Sequence, residues 1–126
     1  MKFTIPGHVY SKKNSRNIFL NRKTGRMFPG KSKNLSGYES RANDLLREAW
    51  GSRPPLQGRV EIKMTFYYSG QEPDAFGPAE TIFDCLEQAG VVENDRQLVP
   101  SGSPAIARVH VPTAQERVEI ELMGSF

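Results

Sequence analysis

Cysteine and long apolar runs are scarce in this sequence of 126 residues. The single cysteine, Cys85, has no partner for an internal disulfide and no Cys or His neighbour at metal-ligand spacing. The apolar runs are a few residues long, whereas a membrane-spanning helix needs about 20, and the first residues lack the apolar segment of a signal peptide. These absences exclude a disulfide-stapled protein, a cysteine-based metal site and a membrane-spanning protein. We expect a soluble cytoplasmic protein.

Acidic residues are absent from the first 38 positions. Residues 1–57 hold 12 Lys and Arg against 3 Asp and Glu, whereas residues 58–126 hold 5 against 11. Eight of the cations lie between Lys12 and Lys33, interleaved with Asn and Ser, which donate hydrogen bonds to phosphates. This composition is typical of a segment that binds a polyanion, although a solvated basic loop without a ligand has the same composition. The candidates for binding DNA are Lys12, Lys13, Asn14, Ser15, Arg16, Lys23, Arg26, Lys31 and Lys33.

The length and the 37% apolar content predict a single domain, residues 1–126, with one modest core. Strands are predicted at residues 1–5, 60–68, 105–111 and 117–123, and helices at 37–50 and 77–89. A capping box of Ser36 and Glu39 marks the start of the first helix. Residues 8–35 are predicted to form a basic loop or hairpin excursion. The order of elements predicts an α+β fold, with a small mixed, mainly antiparallel sheet of about four strands and two helices on one face.

Residues 72–95 form an acidic centre that contains seven Asp and Glu and no cation. Glu80, Asp84 and Glu87 share one side of the second predicted helix, where like charges cost about 0.2–0.5 kcal/mol per pair. A divalent cation would compensate for this repulsion. If the flanking loops converge, Asp74 and Asp95 add the oxygen ligands that magnesium prefers, and the ion could promote phosphodiester cleavage. A solvated acidic helix face is the alternative.

Residues 11–16 and 74–97 carry two motifs that point to a known family. The first is Ser-Lys-Lys-Asn-Ser-Arg. In the second, Asp74, the Asp-Cys-Leu run at 84–86 and the Asn-Asp-Arg-Gln run at 94–97 follow one another at fixed spacing. This chain thereby resembles the RusA-type Holliday-junction resolvases, many of them carried by phages and prophages. Their central motif is Asp-x-Asp-Asn-x-x-Lys-x-x-x-Asp-Ala-Leu, followed by an Asp pair and x-Gln, and the match needs no gap.

The resemblance implies an intertwined homodimer that acts in DNA recombination and repair. Such a dimer binds four-way junctions and cuts them symmetrically with magnesium or manganese, using clustered aspartates and a lysine. On this basis the chain is expected to be a structure-specific endonuclease that resolves branched DNA. The partners implied are branched or duplex DNA and a second copy of the chain.

Four positions depart from the family's motif. Phe76 stands in place of its second aspartate, and Gly77 in place of its asparagine. Glu80 stands in place of its catalytic lysine, and Asn94 in place of the first acid of the Asp pair. An apolar ring removes both a charge and an oxygen ligand, and the change from lysine to glutamate reverses a charge.

Two outcomes fit these departures. In the first, Asp74, Glu80 and Asp95 are the catalytic residues and hold a rearranged magnesium site, with Asp84 and Asn94 in supporting or structural roles. A cation of the basic segment, Lys12 or Arg16, then replaces the missing lysine. In the second, the chain is a catalytically degenerate RusA-like protein that binds junctions or other DNA without cutting. A third interpretation is an interaction protein that binds a protein partner through the basic segment.

The remaining aromatic and histidine residues give weaker signals. Phe19 and Phe28 lie among the cations without strand or helix periodicity, which makes them candidates for contacting exposed bases. His8 and His110 have no ligand partner at a recognisable spacing, and we expect ordinary polar or packing roles for them. Trp50 is expected to be a core or dimer-contact residue.

Overall fold

The computed structural model describes residues 1–11, 16–20, 27–31, 33–74 and 76–124, with only the backbone described for 16–20 and 27–31. The described elements are β1 (Lys2–Pro6), β2 (Arg16–Leu20), β3 (Met27–Lys31), α1 (Lys33–Trp50), β4 (Val60–Tyr68), α2 (Phe76–Gln88), β5 (Leu98–Pro100), β6 (Ile106–His110) and β7 (Arg117–Met123). Short 3-10 turns cover Asp95–Gln97 and Thr113–Gln115. The predicted α+β class is confirmed. Among the helices of the described residues, none is long and apolar enough to cross a membrane.

The main sheet has five strands, and β4 lies at its centre. β7 pairs antiparallel with one edge of β4, and β1 pairs antiparallel with β7. On the other edge of β4, β5 pairs with its first residues and β6 with its later ones, and both pairings are parallel. The sheet is therefore mixed, as predicted. It has one strand more than expected, because β5 is three residues long, too short to show an alternating pattern.

One face of this sheet is apolar and the other is polar. In the register of the strands, Phe3 and Met64 both lie opposite Ile120, and all three are buried. Lys63 lies opposite Glu121 on the polar face. The apolar face forms one core with the stripe of each helix, as the alternation of β4 and β7 predicts. The stripes consist of Tyr38, Ala42, Leu46 and Trp50 in α1, and of Ala79, Ile82, Cys85 and Leu86 in α2.

The start of the first helix differs from the prediction. α1 begins at Lys33, four residues before Gly37, so Ser36 and Glu39 lie inside the helix and do not form its capping box. The physical reason is Leu35, which is fully buried and extends the apolar stripe by one turn upstream of Tyr38. A Ser-x-x-Glu pattern inside a helix is indistinguishable from a cap when the buried face is unknown.

The described backbone of the basic segment forms a two-stranded antiparallel hairpin. β2 pairs with β3 along five residues, with Arg16 opposite Lys31 and Phe19 opposite Phe28. The segment therefore contains a β-ribbon between β1 and α1.

Candidate functional site at the two ends of the second helix

The first turn of α2 packs against residues 8–11, which lead into the basic segment. A Cβ atom at Gly77 would collide with Ser11 Oγ, so the close approach requires glycine at this position. Ser11 is 9% exposed, and its hydroxyl has no hydrogen-bond partner among the described residues. One turn further, Thr81 Oγ1 donates to the carbonyl oxygen of Tyr10 at 2.7 Å. These contacts fix the start of the basic segment on α2.

Phe76, the first residue of α2, projects from this contact. It is 70% exposed, the largest exposure among the large apolar residues that the structure describes. Its backbone N–H donates to Asp74 Oδ1 at 3.3 Å, which satisfies one of the free donors at the start of the helix. The preceding loop is held by Arg108 of β6, whose Nη1 donates to the carbonyl oxygen of Pro73 at 2.9 Å. Phe76 is thus an exposed ring at the first position of α2.

A cleft of about 500 Å³ lies between residues 8–11 and the loop that precedes α2. Glu72, Asp74 and Pro78 line it on the side of α2, and His8 lines it on the other. Asp74 is exposed, and Glu72 Oε1 lies 3.6 Å from Arg108 Nε. The cleft therefore combines carboxylates, a histidine and the start of the basic segment.

His8 and Glu116 form a pair that the sequence did not indicate. His8 Nδ1 lies 2.7 Å from Glu116 Oε2, and Ser69 Oγ donates to Glu116 Oε1 at 2.6 Å. The Glu116 side chain is 9% exposed, whereas that of His8 is 52% exposed. Burial raises the pKa of Glu116, but the hydrogen bonds from Ser69 and His8 outweigh it and hold this pKa below its ordinary value. Local spacing carries no signal for this pair because 108 residues separate its members.

The far end of α2 is tied down by hydrogen bonds. Asn94 Oδ1 accepts from the N–H of Arg96 at 2.9 Å, which caps the 3-10 turn. Gln97 Oε1 accepts from the N–H groups of residues 93 and 94, and its Nε2 donates to the carbonyl oxygens of residues 56 and 58. The N–H of Asp95 donates to Glu87 Oε1 at 3.0 Å. Asn94 and Gln97 therefore have structural roles here.

The predicted carboxylates are spread along α2. Asp74 precedes the helix, Glu80 is exposed on its second turn, and Asp95 contacts Glu87 near its end. The 13 residues of α2 rise by about 20 Å from end to end. Within the described parts of the chain, no group of three or more His, Cys, Asp or Glu residues could hold a metal ion. As placed, Asp74, Glu80 and Asp95 do not form a common ligand set, and the magnesium site stays a prediction.

The predicted DNA-binding residues are only partly described. Lys33 is exposed at the start of α1, and Arg16 and Lys31 occupy opposite positions in the hairpin. The others lie outside the described residues: Lys12, Lys13, Asn14, Ser15, Lys23 and Arg26. The hairpin register brings Arg16 and Lys31 together, which their separation in sequence did not require.

Neither a scan against models of known protein families nor a search of curated protein sequences found a match to this chain. The resemblance to RusA-type resolvases therefore depends on the motif residues at 11–16 and 74–97. It stays a prediction.

Proposed function

We propose that this chain is a RusA-like DNA-binding protein that holds branched or duplex DNA. The binding surface consists of the basic segment, residues 12–33, together with the start of α2. The observation that carries the proposal is the pairing of β2 with β3, because it forms a two-stranded ribbon within the most cationic part of the chain and sets Arg16 opposite Lys31. A ribbon of this kind fits the major groove of duplex DNA.

The position of the ribbon in the chain supports the same function. Ser11, directly before the basic segment, is packed against Gly77 at the start of α2. Lys33, at the other end of the segment, begins α1. The residues that flank the basic segment on both sides therefore belong to or contact the helical layer, which limits the chain entropy that the segment can lose when phosphates are bound.

The salt dependence of binding tests this proposal. Replacing Lys12, Lys13 and Arg16 together by Ala should weaken binding to every DNA, because each lost phosphate contact removes a counterion-release contribution. The slope of log affinity against log salt should fall by up to about 2.7, at about 0.9 per contact. Fluorescence anisotropy with a labelled four-way junction and a duplex of the same sequence measures both quantities.

A control variant removes the same charge elsewhere. Replacing Arg47, Arg59 and Lys63 together by Ala takes three exposed cations from outside the basic segment. This variant should keep most of the salt slope. An equal loss of slope in both variants would mean that the net charge, and not the ribbon, binds DNA.

The resemblance also supports a homodimer, whose twofold symmetry would match that of a four-way junction. Light scattering at micromolar concentration should then give twice the chain mass of 14.1 kDa. A monomer at that concentration would remove the symmetric arrangement from the proposal but leave the basic surface in place.

Magnesium-dependent cleavage is the second candidate function. It is favoured by one observation, the exposed Asp74 in the cleft where the basic segment begins. Magnesium or manganese would supply water activation and charge stabilisation. Incubating the labelled junction with either ion should give nicked product, and Asp74→Asn should abolish nicking while preserving binding. Binding without nicking by the unaltered chain would leave the degenerate DNA-binding protein as the function.

A further inference from the structure

A surface groove of about 390 Å³ lies where α1 ends and the chain turns towards β4. This volume is in the range of ligand-binding sites, about 300–1,000 Å³. The groove shares no lining residue with the cleft beside Asp74. Its apolar lining consists of Met1, Trp50, Pro54, Pro55 and Leu56. Met1 and Pro54 are exposed, so part of this apolar surface faces solvent.

Arg53 lines the same groove with a guanidinium group that is held in place. Its Cζ lies 4.1 Å from the centre of the Trp50 ring, and its Nε donates to the carbonyl oxygen of Trp50 at 3.0 Å. The indole Nε1 of Trp50 in turn donates to the carbonyl oxygen of Arg53 at 3.0 Å. Among the described residues, no carboxylate pairs with Arg53 and neither Nη has a hydrogen-bond partner. A fixed guanidinium with both Nη groups free is pre-organised to bind a carboxylate in bidentate fashion.

The side-chain charge in the lining of the groove is entirely positive. Arg59 is its second cation, and no Asp or Glu belongs to the lining among the residues that the structure describes. Arg59 Nη2 lies 3.7 Å from Glu61 Oε1, but both side chains are largely exposed, and such a pair contributes little. A carboxylate of a ligand can therefore compete with Glu61 for Arg59.

We infer that this groove docks a peptide segment of a partner protein in which apolar side chains alternate with Asp or Glu. The carboxylates would meet Arg53 and Arg59, and the apolar side chains would cover Pro54 and Leu56. Trp and Arg are the residues most enriched among those that dominate binding at protein interfaces. Nucleic acid fits the groove less well, because Trp50 is only 4% exposed and has no free face for a base. The inference does not depend on the proposed DNA-binding function.

The test uses tryptophan fluorescence, because Trp50 is the single tryptophan of the chain and lines the groove. The probe is a short synthetic peptide that alternates Leu or Phe with Asp. Two matched peptides carry Asn in place of every Asp, or Ser in place of every Leu and Phe. Titration with the first peptide should shift the emission to saturation, and each matched peptide should bind at least about 10-fold more weakly.

Substitutions of the arginines locate the binding site. Arg53→Ala should weaken binding of the acidic peptide about 10- to 150-fold, as expected for the loss of hydrogen bonds to a charged group. Arg59→Ala should have a smaller effect in the same direction. Arg47→Ala is the matched control, since Arg47 is exposed on the last turn of α1 but does not line the groove, and it should leave the affinity unchanged.

Equal binding of the three peptides, or no binding of the acidic one, would overturn the inference. Equal weakening by Arg47→Ala and Arg53→Ala would do the same, because net charge would then explain the binding. Displacement of the peptide by duplex DNA, with an emission shift that Arg53→Ala removes, would assign the groove to phosphates instead. Circular dichroism checks that each variant is folded. If Arg53→Ala does not fold, the comparison of Arg59→Ala with Arg47→Ala decides, and equal affinities in these two variants would overturn the inference.

Discussion

The two ends of α2 (Phe76–Gln88) differ in how their polar groups are satisfied. At the far end, Gln97 alone makes four hydrogen bonds, and Asn94 caps the turn that follows. At the start, Asp74 and Phe76 are exposed, and the buried hydroxyl of Ser11 has no partner among the described residues. Residues that are saturated with internal hydrogen bonds stabilise the fold, whereas exposed residues such as Asp74 and Phe76 remain accessible to a ligand.

This difference separates the residues of the resolvase-like motif into two groups. Gln97 connects the turn after α2 to the loop before β4, which is a structural role. Asp74 lines the cleft where the basic segment begins, and Phe76 is exposed two residues further along the chain. We therefore expect substitutions at the far end to reduce stability, and substitutions at the start to alter DNA binding or cleavage.

The largest loss of stability is expected from Gln97→Ala. The change removes four hydrogen bonds and leaves the carbonyl groups of Leu56 and Gly58 without their side-chain donor. Since a hydrogen bond contributes about 0.5–1.5 kcal/mol net, and three of these four are exposed, the free energy of unfolding should fall by about 2–3 kcal/mol. Urea denaturation followed by circular dichroism measures the change.

Gln115→Ala is the matched control for this prediction. Gln115 also occupies the third position of a 3-10 turn, but it is exposed and that turn has no side-chain cap. Its replacement should change the free energy of unfolding by less than about 0.5 kcal/mol. Similar losses in the two variants would show that the network around Gln97 has no special role.

A comparable or smaller loss is expected at the start of α2 from Gly77→Ala. The added methyl group collides with Ser11, so residues 8–11 must shift, at a cost of about 1–3 kcal/mol. Gly37→Ala in α1 meets no atom within 4 Å and should stabilise the protein by up to about 1 kcal/mol, because alanine favours the helix. Thermal unfolding should therefore shift in opposite directions. Adding Ser11→Gly to Gly77→Ala should recover part of the loss, and no recovery would contradict the steric explanation.

The next effect is pH-dependent and comes from Glu116. Because its pKa is lower in the folded protein than in the unfolded chain, its contribution to stability is present above the unfolded pKa. That contribution is lost as the pH falls through the folded pKa. Glu116→Gln should cost about 1–2 kcal/mol at neutral pH and less in acid, so the two stability curves should converge as the pH falls.

Glu48→Gln serves as the control for Glu116, since Glu48 is exposed on α1. It should leave the pH dependence of stability parallel to that of the unaltered chain. Curves for Glu116→Gln that also stay parallel would contradict the role assigned to its bonds with His8 and Ser69.

Periodic features of the fold could be predicted from sequence, because burial follows residue spacing within one element. The alternation in β4 and the stripe of α2 are examples, and both place the core correctly. The predicted start of α1 was wrong by four residues, because the burial of Leu35 depends on packing that local spacing does not specify. The three-residue strand β5 was too short to predict.

The site was less predictable than the fold, because it depends on contacts between distant residues. The sequence shows that Asp74, Glu80 and Asp95 are acids at positions of the motif. It does not show that they lie before, within and after α2, apart from one another. The motif comparison describes Phe76 only as the loss of a ligand, and it does not show that this ring is 70% exposed at the first position of α2. Ser11 contacts Gly77, and His8 pairs with Glu116. The members of each pair are more than 60 positions apart in the sequence, so no periodic pattern could predict these contacts.

The smallest effect on stability, and the sharpest question about function, concern Glu80. This side chain is exposed one turn before Asp84, so Glu80→Ala should change the free energy of unfolding by no more than about 0.5 kcal/mol. If Glu80 joins a rearranged magnesium site, excess magnesium should raise the thermal midpoint of the unaltered chain but not that of Glu80→Ala, and any junction cleavage should disappear in the variant.

If the site is degenerate, magnesium should shift neither midpoint. Phe76→Asp combined with Glu80→Lys should then restore the motif and raise cleavage above that of the unaltered chain. Cleavage that survives Glu80→Ala would contradict the rearranged site, and a folded, DNA-binding double variant without activity would contradict the degenerate one.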